Sequence, residues 1–313
     1  MADGRLAAVI LAAGQGKRMG GVAKVLCQAG GRTLIDAVIA AAREAGASRV
    51  VCVLGHEKEK VAASLPAGVE WVEQKERLGT GHAAMQAEPL LGKFDGEVLV
   101  LCGDTPLLKA STLERLVGMV RAGGAAASVM TFDAPAGTSY GRIIRDNTFS
   151  ARSTGAFNAE AAENAEERRE QRPCSCCDNS SNNEKCPPLS SAASASSSSA
   201  PSALKMPADG RVMRIVEAKD AKPEELAVRE VNSGSYCFRA AGLFSRLHRL
   251  TNRNAQGEYY LTDVVGLLIA DGLGVAALKT DDPDEALGVN SPDDLAAVEA
   301  AFRRRSGAAS GGR

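Results

Sequence analysis

The sequence predicts an α/β fold: a Rossmann-like, mostly parallel sheet flanked by helices. Three observations carry this expectation. Short apolar runs alternate with segments of helical period through the first part of the chain. The first apolar run breaks into Gly14-Gln15-Gly16, and a later one stops at Gly103-Asp104. In such sheets ligands gather at the carboxyl ends of strands, so both glycine motifs are expected to face one crevice.

The elements follow in order. Residues 8–11 read as the first strand. Apolar Leu34, Val38, Ala41, Ala42 and Ala45 form a helical stripe over 33–45. Strands are expected at 50–54, ending at Gly55, and at 69–73. A helix is expected over 79–91 and a strand over 97–102. Ser111, with Glu114 three residues on, predicts a capping box for the next helix. Residues 127–132 form a further strand. Residues 140–146 and 210–217 read as the two halves of a hairpin. A strand at 229–238, helices near 241–250 and 261–270, and a strand at 275–279 follow. Ser291 and Pro292 mark the start of a last helix, as cap and first position.

Between the hairpin halves the pattern fails. Residues 149–208 are rich in Ala, Glu, Asn and then Ser, and nearly lack aromatic and β-branched residues. Such a segment buries too little apolar surface to offset its ordering entropy, so a solvated insert is expected. A weak helix over 156–169 is compatible with it. Cys174, Cys176, Cys177 and Cys186 lie inside it, at spacings that fit no common zinc pattern. The expected organisation is one domain made of 1–148 and 209–303, the insert, and a flexible tail over 304–313.

Composition narrows the function. The chain has 313 residues, with 37 Lys plus Arg against 38 Asp plus Glu. This balance argues against wholesale binding to nucleic acid or anionic lipid, so any phosphate site is local. No apolar run reaches the roughly 20 residues of a membrane span. Residues 6–13 lack a basic leader and a small-residue cleavage site, so a cytoplasmic location is expected. Cys27, Cys52, Cys102 and Cys237 sit singly in strand-like surroundings and read as free thiols.

The stretch Val9-Ile10-Leu11-Ala12-Ala13-Gly14-Gln15-Gly16-Lys17-Arg18-Met19, with Lys24 beyond it, has the chemistry of a polyphosphate loop. Glycines let backbone N–H groups approach the oxygens, and Lys17, Arg18 and Lys24 add charge. A Walker loop would need Ser or Thr where Arg18 stands and Gly where Leu11 stands. A dinucleotide fingerprint would need Gly at Met19.

Further motifs follow in order: Gln74, Leu78-Gly79-Thr80-Gly81-His82-Ala83, Gly103-Asp104-Thr105-Pro106-Leu107, Tyr140-Gly141-Arg142, Ile215-Val216-Glu217-Ala218-Lys219-Asp220, Glu230-Val231-Asn232-Ser233-Gly234, the block from Asn254 to Asp263, and Gly288-Val289-Asn290. Together they resemble the uridylyltransferase domain of the bacterial N-acetylglucosamine-1-phosphate uridylyltransferases, over 6–148 and 209–300. The resemblance implies the nucleotide-diphospho-sugar transferase fold and the synthesis of UDP-N-acetylglucosamine and pyrophosphate from UTP and N-acetylglucosamine 1-phosphate, with Mg²⁺ as cofactor. Arg18, Lys24 and Asp104 would be catalytic, and Asp104 and Asn290 would hold the metal. Leu11, Ala12, Ala13, Gly14, Lys24, Gln74, Gly79, Thr80, Cys102 and Gly103 would line the nucleotide site. Gly141, Glu217 and Asn232 would hold the amino sugar. His82 reads as packing at a helix start or as support behind a site residue, because a sugar phosphate is already an anion and needs no base.

The chain departs from the family pattern at several places. Lys17 replaces a usual Thr, Ala23 a usual Pro, Ser139 a usual Gly, and Cys102 a common aromatic. The family's left-handed β-helix has no counterpart in this sequence, so no acetyltransferase activity is expected. No oligomeric state is assigned, and no nucleic-acid or membrane partner is expected. A different sugar or base, or a non-catalytic nucleotide-sugar-binding protein, are the competing readings.

Overall fold

The computed structural model describes residues 5–135, 137–146 and 211–310. Strand β1 (Leu6–Ala12) is the centre of a nine-stranded sheet. Its alternation is apolar on both sides. Ala8, Ile10 and Ala12 pack into one layer with Ile35 and Val38, while Ala7 and Val9 face another with Ala83 and Ala84. A strand buried on both faces needs such a continuous apolar run.

A small hairpin, β2 (Gln28–Ala29) and β3 (Arg32–Thr33), leads into α1 (Leu34–Glu44). Thr33 caps α1, its Oγ1 accepting from the Asp36 amide at 3.2 Å. Strand β4 (Arg49–Leu54) pairs parallel to β1, and β5 (Glu70–Glu73) parallel to β4. The connecting helix α2 (Lys58–Ser64) was not foreseen from the sequence. Strand β6 (Glu97–Cys102) lies parallel to β1 on its other side. The order of winding therefore reverses at β1, and a crevice opens where β1 and β6 end.

The far half of the sheet is mixed. Strand β7 (Ala127–Asp133) and β6 both pair antiparallel with β10 (Glu230–Arg239). Strand β11 (Val275–Lys279) closes the edge parallel to β7. Strands β8 (Arg142–Asp146) and β9 (Arg211–Val216) pair antiparallel, as the hairpin reading requires, and β8 meets β10 at Arg142 and Val231. The remaining helices are α6 (Pro223–Leu226), α7 (Leu243–Leu247), α8 (Asp263–Ala270) and α9 (Pro292–Ser310).

Three expectations need correction. The helix expected over 79–91 is two helices, α3 (Thr80–Met85) and α4 (Glu88–Leu91). Pro89 lacks the N–H that would continue the ladder, so the chain restarts there. Helix α5 (Ala110–Gly123) is not capped by Ser111: its cap position is Lys109, which makes no side-chain cap bond. Glu285, 2% exposed, accepts instead from the Lys109 amide at 3.0 Å and from Thr112 Oγ1 at 3.1 Å. Helix α9 continues past residue 303, where a tail was expected. Arg305 donates to the Leu107 carbonyl at 2.7 Å and to Asp282 at 2.9 Å. The insert, its weak helix and its four cysteines lie outside the described residues. Among the described residues the four cysteines are free, and no helix is long and apolar enough to cross a membrane.

Candidate active site

β1 delivers Leu11 to Gly14 to the crevice, where they line a cleft together with Lys24, Gln74, Gly79, Thr80, Cys102 and Asp104. The loop after β1 then folds tightly. Gly16 has φ +57°, and a Cβ there would lie 2.3 Å from the Val22 carbonyl oxygen. Only glycine fits that approach. Gly16's own carbonyl accepts from Met19 and Gly21 amides at 2.7 and 3.2 Å. Arg18 is exposed on this turn, outside the cleft lining.

Lys24 lies where the loop returns. Its ammonium is ion-paired to Asp104 and donates to Asn290 Oδ1 at 2.9 Å. The Lys24 and Asp104 side chains are only 16% and 14% exposed. The fold thus brings together residues 80 and 266 positions apart from Lys24. Each is fixed from behind. The Gly103 amide donates to Leu11 O at 2.9 Å, tying the end of β6 to β1. The Val289 amide donates to Asp104 O at 3.0 Å. Asp294 Oδ2 accepts from the Asn290 and Ser291 amides, both at 2.9 Å, while Ser291 Oγ accepts from the Asp294 amide at 3.2 Å. Ser291 therefore caps α9 in a reciprocal box, and the cap also holds the Asn290 backbone.

Gln74 is 4% exposed, and its NH₂ donates to Gly79 O at 3.1 Å and to His82 Nδ1 at 3.0 Å. His82 thus orients Gln74. Gly79 has φ +106° and packs against Tyr259, whose amide donates to Leu78 O at 2.7 Å. Thr80 Oγ1 accepts from the Leu261 amide at 3.0 Å. The block around Gly79 and the block around Tyr259 are one packed unit.

A second group lies beyond Cys102. The Asn232 amide donates to Gly141 O at 2.8 Å, and Asn232 Oδ1 accepts from the Gly234 amide at 2.9 Å. A Cβ on Gly141 would lie 3.4 Å from Glu217 Oε1, so these three residues adjoin. Arg142, 1% exposed, holds the Gly141 turn by donating to Tyr140 O and to Thr138 O. Glu217 Oε1 accepts from Thr262 Oγ1 at 3.1 Å. Burial raises the Glu217 carboxyl above its ordinary range, and nearby Asp263, Asp220 and Glu258 push the same way. Cys102 links the two groups: its Sγ lies 3.0 Å from the Cβ position of Gly234. Burial first, then Asp104, pushes its thiol up to about 12, so it stays protonated.

Sequence reasoning missed Arg77 and Glu258, which also line the cleft. With the Gln15 amide turned so that its oxygen faces the guanidinium, Arg77 Nη1 and Nη2 donate to it at 2.7 and 2.5 Å. A cation two positions before Gly79 was the available signal. A larger and more enclosed cavity, lined by Phe238, Leu243 and Leu268 beside the start of β6, contains none of these candidate site residues.

Residues 8–257 match the profile of the MobA-like NTP transferase domain. The chain belongs to this family. It is 40% identical over 303 residues to the "Bifunctional protein GlmU" of Pelotomaculum thermopropionicum, covering 96% of this chain and 52% of that protein. It is likewise 40% identical over 304 residues to the protein of the same name from Trichlorobacter lovleyi, with 96% and 52% covered. The chain therefore spans about half the length of these curated relatives, and it corresponds to their nucleotidyltransferase part. A UDP-glucose pyrophosphorylase solved with UDP-glucose superposes with a TM-score of 0.64 at 14% identity, over 96% of this chain and 99% of that one. That likeness establishes the nucleotide-sugar transferase fold. For this NTP transferase, the cleft at the ends of β1 and β6 is the candidate active site.

Proposed function

We propose that this NTP transferase domain joins UTP to N-acetylglucosamine 1-phosphate, giving UDP-N-acetylglucosamine and pyrophosphate. The single observation that carries this is the meeting of Lys24, Asp104 and Asn290 beside the glycine loop, next to the group formed by Gly141, Glu217 and Asn232. The similarity to GlmU proteins of two organisms supports the choice of sugar and base.

In this reading a phosphate oxygen of the sugar phosphate attacks the α-phosphorus of UTP. The bond from that phosphorus to the bridging oxygen breaks, and pyrophosphate leaves with the electron pair. Both reactants are anions, so the residues' work is to screen charge and to hold an in-line geometry. Backbone N–H groups of 11–14 receive the phosphates. Lys24 and Arg18 neutralise the triphosphate and the departing pyrophosphate. The free carbonyl of Gln74 accepts the uracil imide N–H, its own NH₂ being used internally. Glu217 accepts sugar hydroxyls and Asn232 serves the acetamido group.

Asp104 and Asn290 fit a magnesium ion, because both already direct oxygens at a cation, the Lys24 ammonium. Among the described residues no three His, Cys, Asp or Glu side chains form a metal cage. Two protein oxygens, with waters and substrate oxygens completing the shell, suit a small hard ion that keeps part of its hydration. When bound, the ion supplies Lewis-acid screening of the phosphate charge.

The test is pyrophosphate release with Mg²⁺ across a panel of sugar 1-phosphates and nucleoside triphosphates. Turnover is expected to be fastest with N-acetylglucosamine 1-phosphate and UTP. Preference for glucose 1-phosphate, or tight nucleotide-sugar binding with no turnover, would overturn the assignment.

A further inference from the structure

The turn between β4 and α2, Gly55-His56-Glu57, touches the glycine loop at three successive points. Gly55 packs so closely on the end of β1 that a Cβ there would lie 2.8 Å from the Ala13 carbonyl oxygen. His56 Nε2 donates to the Gly21 carbonyl at 2.6 Å. Glu57 Oε2 accepts from the Ala23 amide at 2.8 Å. Ala23 immediately precedes Lys24.

The backbone at this turn is unusual. Among the described residues Glu57 is the one non-glycine residue with positive φ, at +52°. That conformation is costly for a residue with a Cβ and persists where the surroundings over-determine it. The carboxylate is in turn paired with Lys60. Ala23 is buried and its carbonyl accepts from the Leu26 amide, but the apex just before it is open on this flank. Gly20 and Gly21 have open space where a Cβ would stand, and Val22 is 50% exposed.

Ala23 itself has φ −59°, inside the range a proline ring enforces. Proline has no N–H, so it could not make the bond to Glu57. Alanine leaves φ free and offers the N–H that Glu57 holds.

We infer that Glu57, helped by His56, is a positioning residue that fixes Ala23 by hydrogen bonding and so sets Lys24 at the phosphate site. The role in turnover rests on the uridylyltransferase reading; the clamp itself does not. Glu57 takes no part in the chemistry. Its contact does the work that a fixed φ at position 23 would otherwise do.

The experiment compares wild type with Glu57→Ala, Glu57→Gln and the double variant Glu57→Ala/Ala23→Pro. Glu57→Ala is expected to raise the KM for UTP about tenfold, leave the KM for the sugar phosphate within about twofold, and keep wild-type circular dichroism. Glu57→Gln keeps an acceptor oxygen and recovers most of the loss. Ala23→Pro in the Glu57→Ala background restores UTP affinity by fixing φ covalently. Hydrogen exchange at the Ala23 amide is expected to be at least about tenfold faster in Glu57→Ala than in wild type. A UTP KM unchanged in Glu57→Ala, or a loss that neither Glu57→Gln nor Ala23→Pro relieves, overturns the inference. If wild type releases no pyrophosphate from any pair, the proposed reaction fails. UTP titration calorimetry and Ala23 exchange then decide the clamp alone.

Discussion

The proposed phosphate end and the proposed sugar end of the crevice are built on opposite principles. The phosphate end uses the carboxyl ends of two adjacent parallel strands, with glycines and cations on short loops. Lys24 and Arg77 bring cations to its lining, with Arg18 exposed on the adjoining turn, beside the carboxylates of Asp104 and Glu258. The sugar end uses three strands of antiparallel pairing, β8, β9 and β10, and the charges that bear on its Glu217 are the carboxylates of Asp263, Asp220 and Glu258. An anion is received by backbone N–H groups and screened by cations, which tolerates partial exposure. A neutral, hydroxyl-rich sugar is recognised by directional acceptors, and those gain strength when water is excluded. The contrast explains why one end is open loop and the other a half-buried carboxylate.

The largest expected effect lies where the two ends meet. Asp104→Asn removes the carboxylate that faces both Lys24 and the proposed ion. Turnover is expected to fall about a thousandfold, with the fold intact by circular dichroism. Activity within tenfold of wild type would detach Asp104 from the metal.

Next in size is Lys24→Met. Turnover falls about a hundredfold, the scale of losing one preorganised charge-stabilising donor. The same variant is expected to bind Mn²⁺ more tightly without substrate, read by electron paramagnetic resonance, because the ammonium no longer competes for Asp104 and Asn290. Unchanged Mn²⁺ affinity would mean that the ammonium and the ion occupy different places.

Smaller and selective is Glu217→Gln. The KM for the sugar phosphate rises roughly tenfold while that for UTP stays put, since one charged acceptor becomes neutral. The pH dependence separates the ends further. Burial raises the Glu217 carboxyl above the ordinary 4.5, so the ionised acceptor is lost as pH falls at values higher than for an exposed glutamate. The KM for the sugar phosphate therefore climbs on the acid side, and Glu217→Gln flattens that limb. The stability sign is opposite. A carboxyl raised in the folded state contributes stability below its unfolded value and loses it as pH rises through the folded value. Glu217→Gln is expected to raise Tm at neutral pH. A lowered Tm there would show that the charged form is stabilising.

Much of the fold was readable because the deciding signals are local. The apolar runs that end at Gly14 and Gly103 and the Ser291-Pro292 cap are each legible within a few residues, and the β8–β9 pairing follows from two apolar runs that match across the insert. The failures share the opposite property. Ser111 had a good local signature, yet Glu285, 176 residues from Lys109, takes over the cap of α5. A carboxylate delivered by tertiary packing takes the Lys109 amide and the Thr112 hydroxyl at the helix start, and local propensity cannot anticipate it. The tail boundary failed for the same reason, because Arg305 anchors α9 to Leu107, 198 residues away. Arg77 and Glu57 went unnoticed because a single exposed-looking charge carries no period and no spacing.

The sequence by itself determined the succession of the main strands and most of the longer helices, the glycine loop and the types of chemistry available, because propensity, apolar period and turn geometry act within a few residues. The tertiary structure alone decided that Lys24 meets both Asp104 and Asn290, that Cys102 touches Gly234 beside Asn232, and that a distant turn holds Ala23. Charge–charge and hydrogen-bond contacts act over a few ångströms of space, whatever the separation along the chain, and the winding reversal at β1 is what turns distant positions into neighbours.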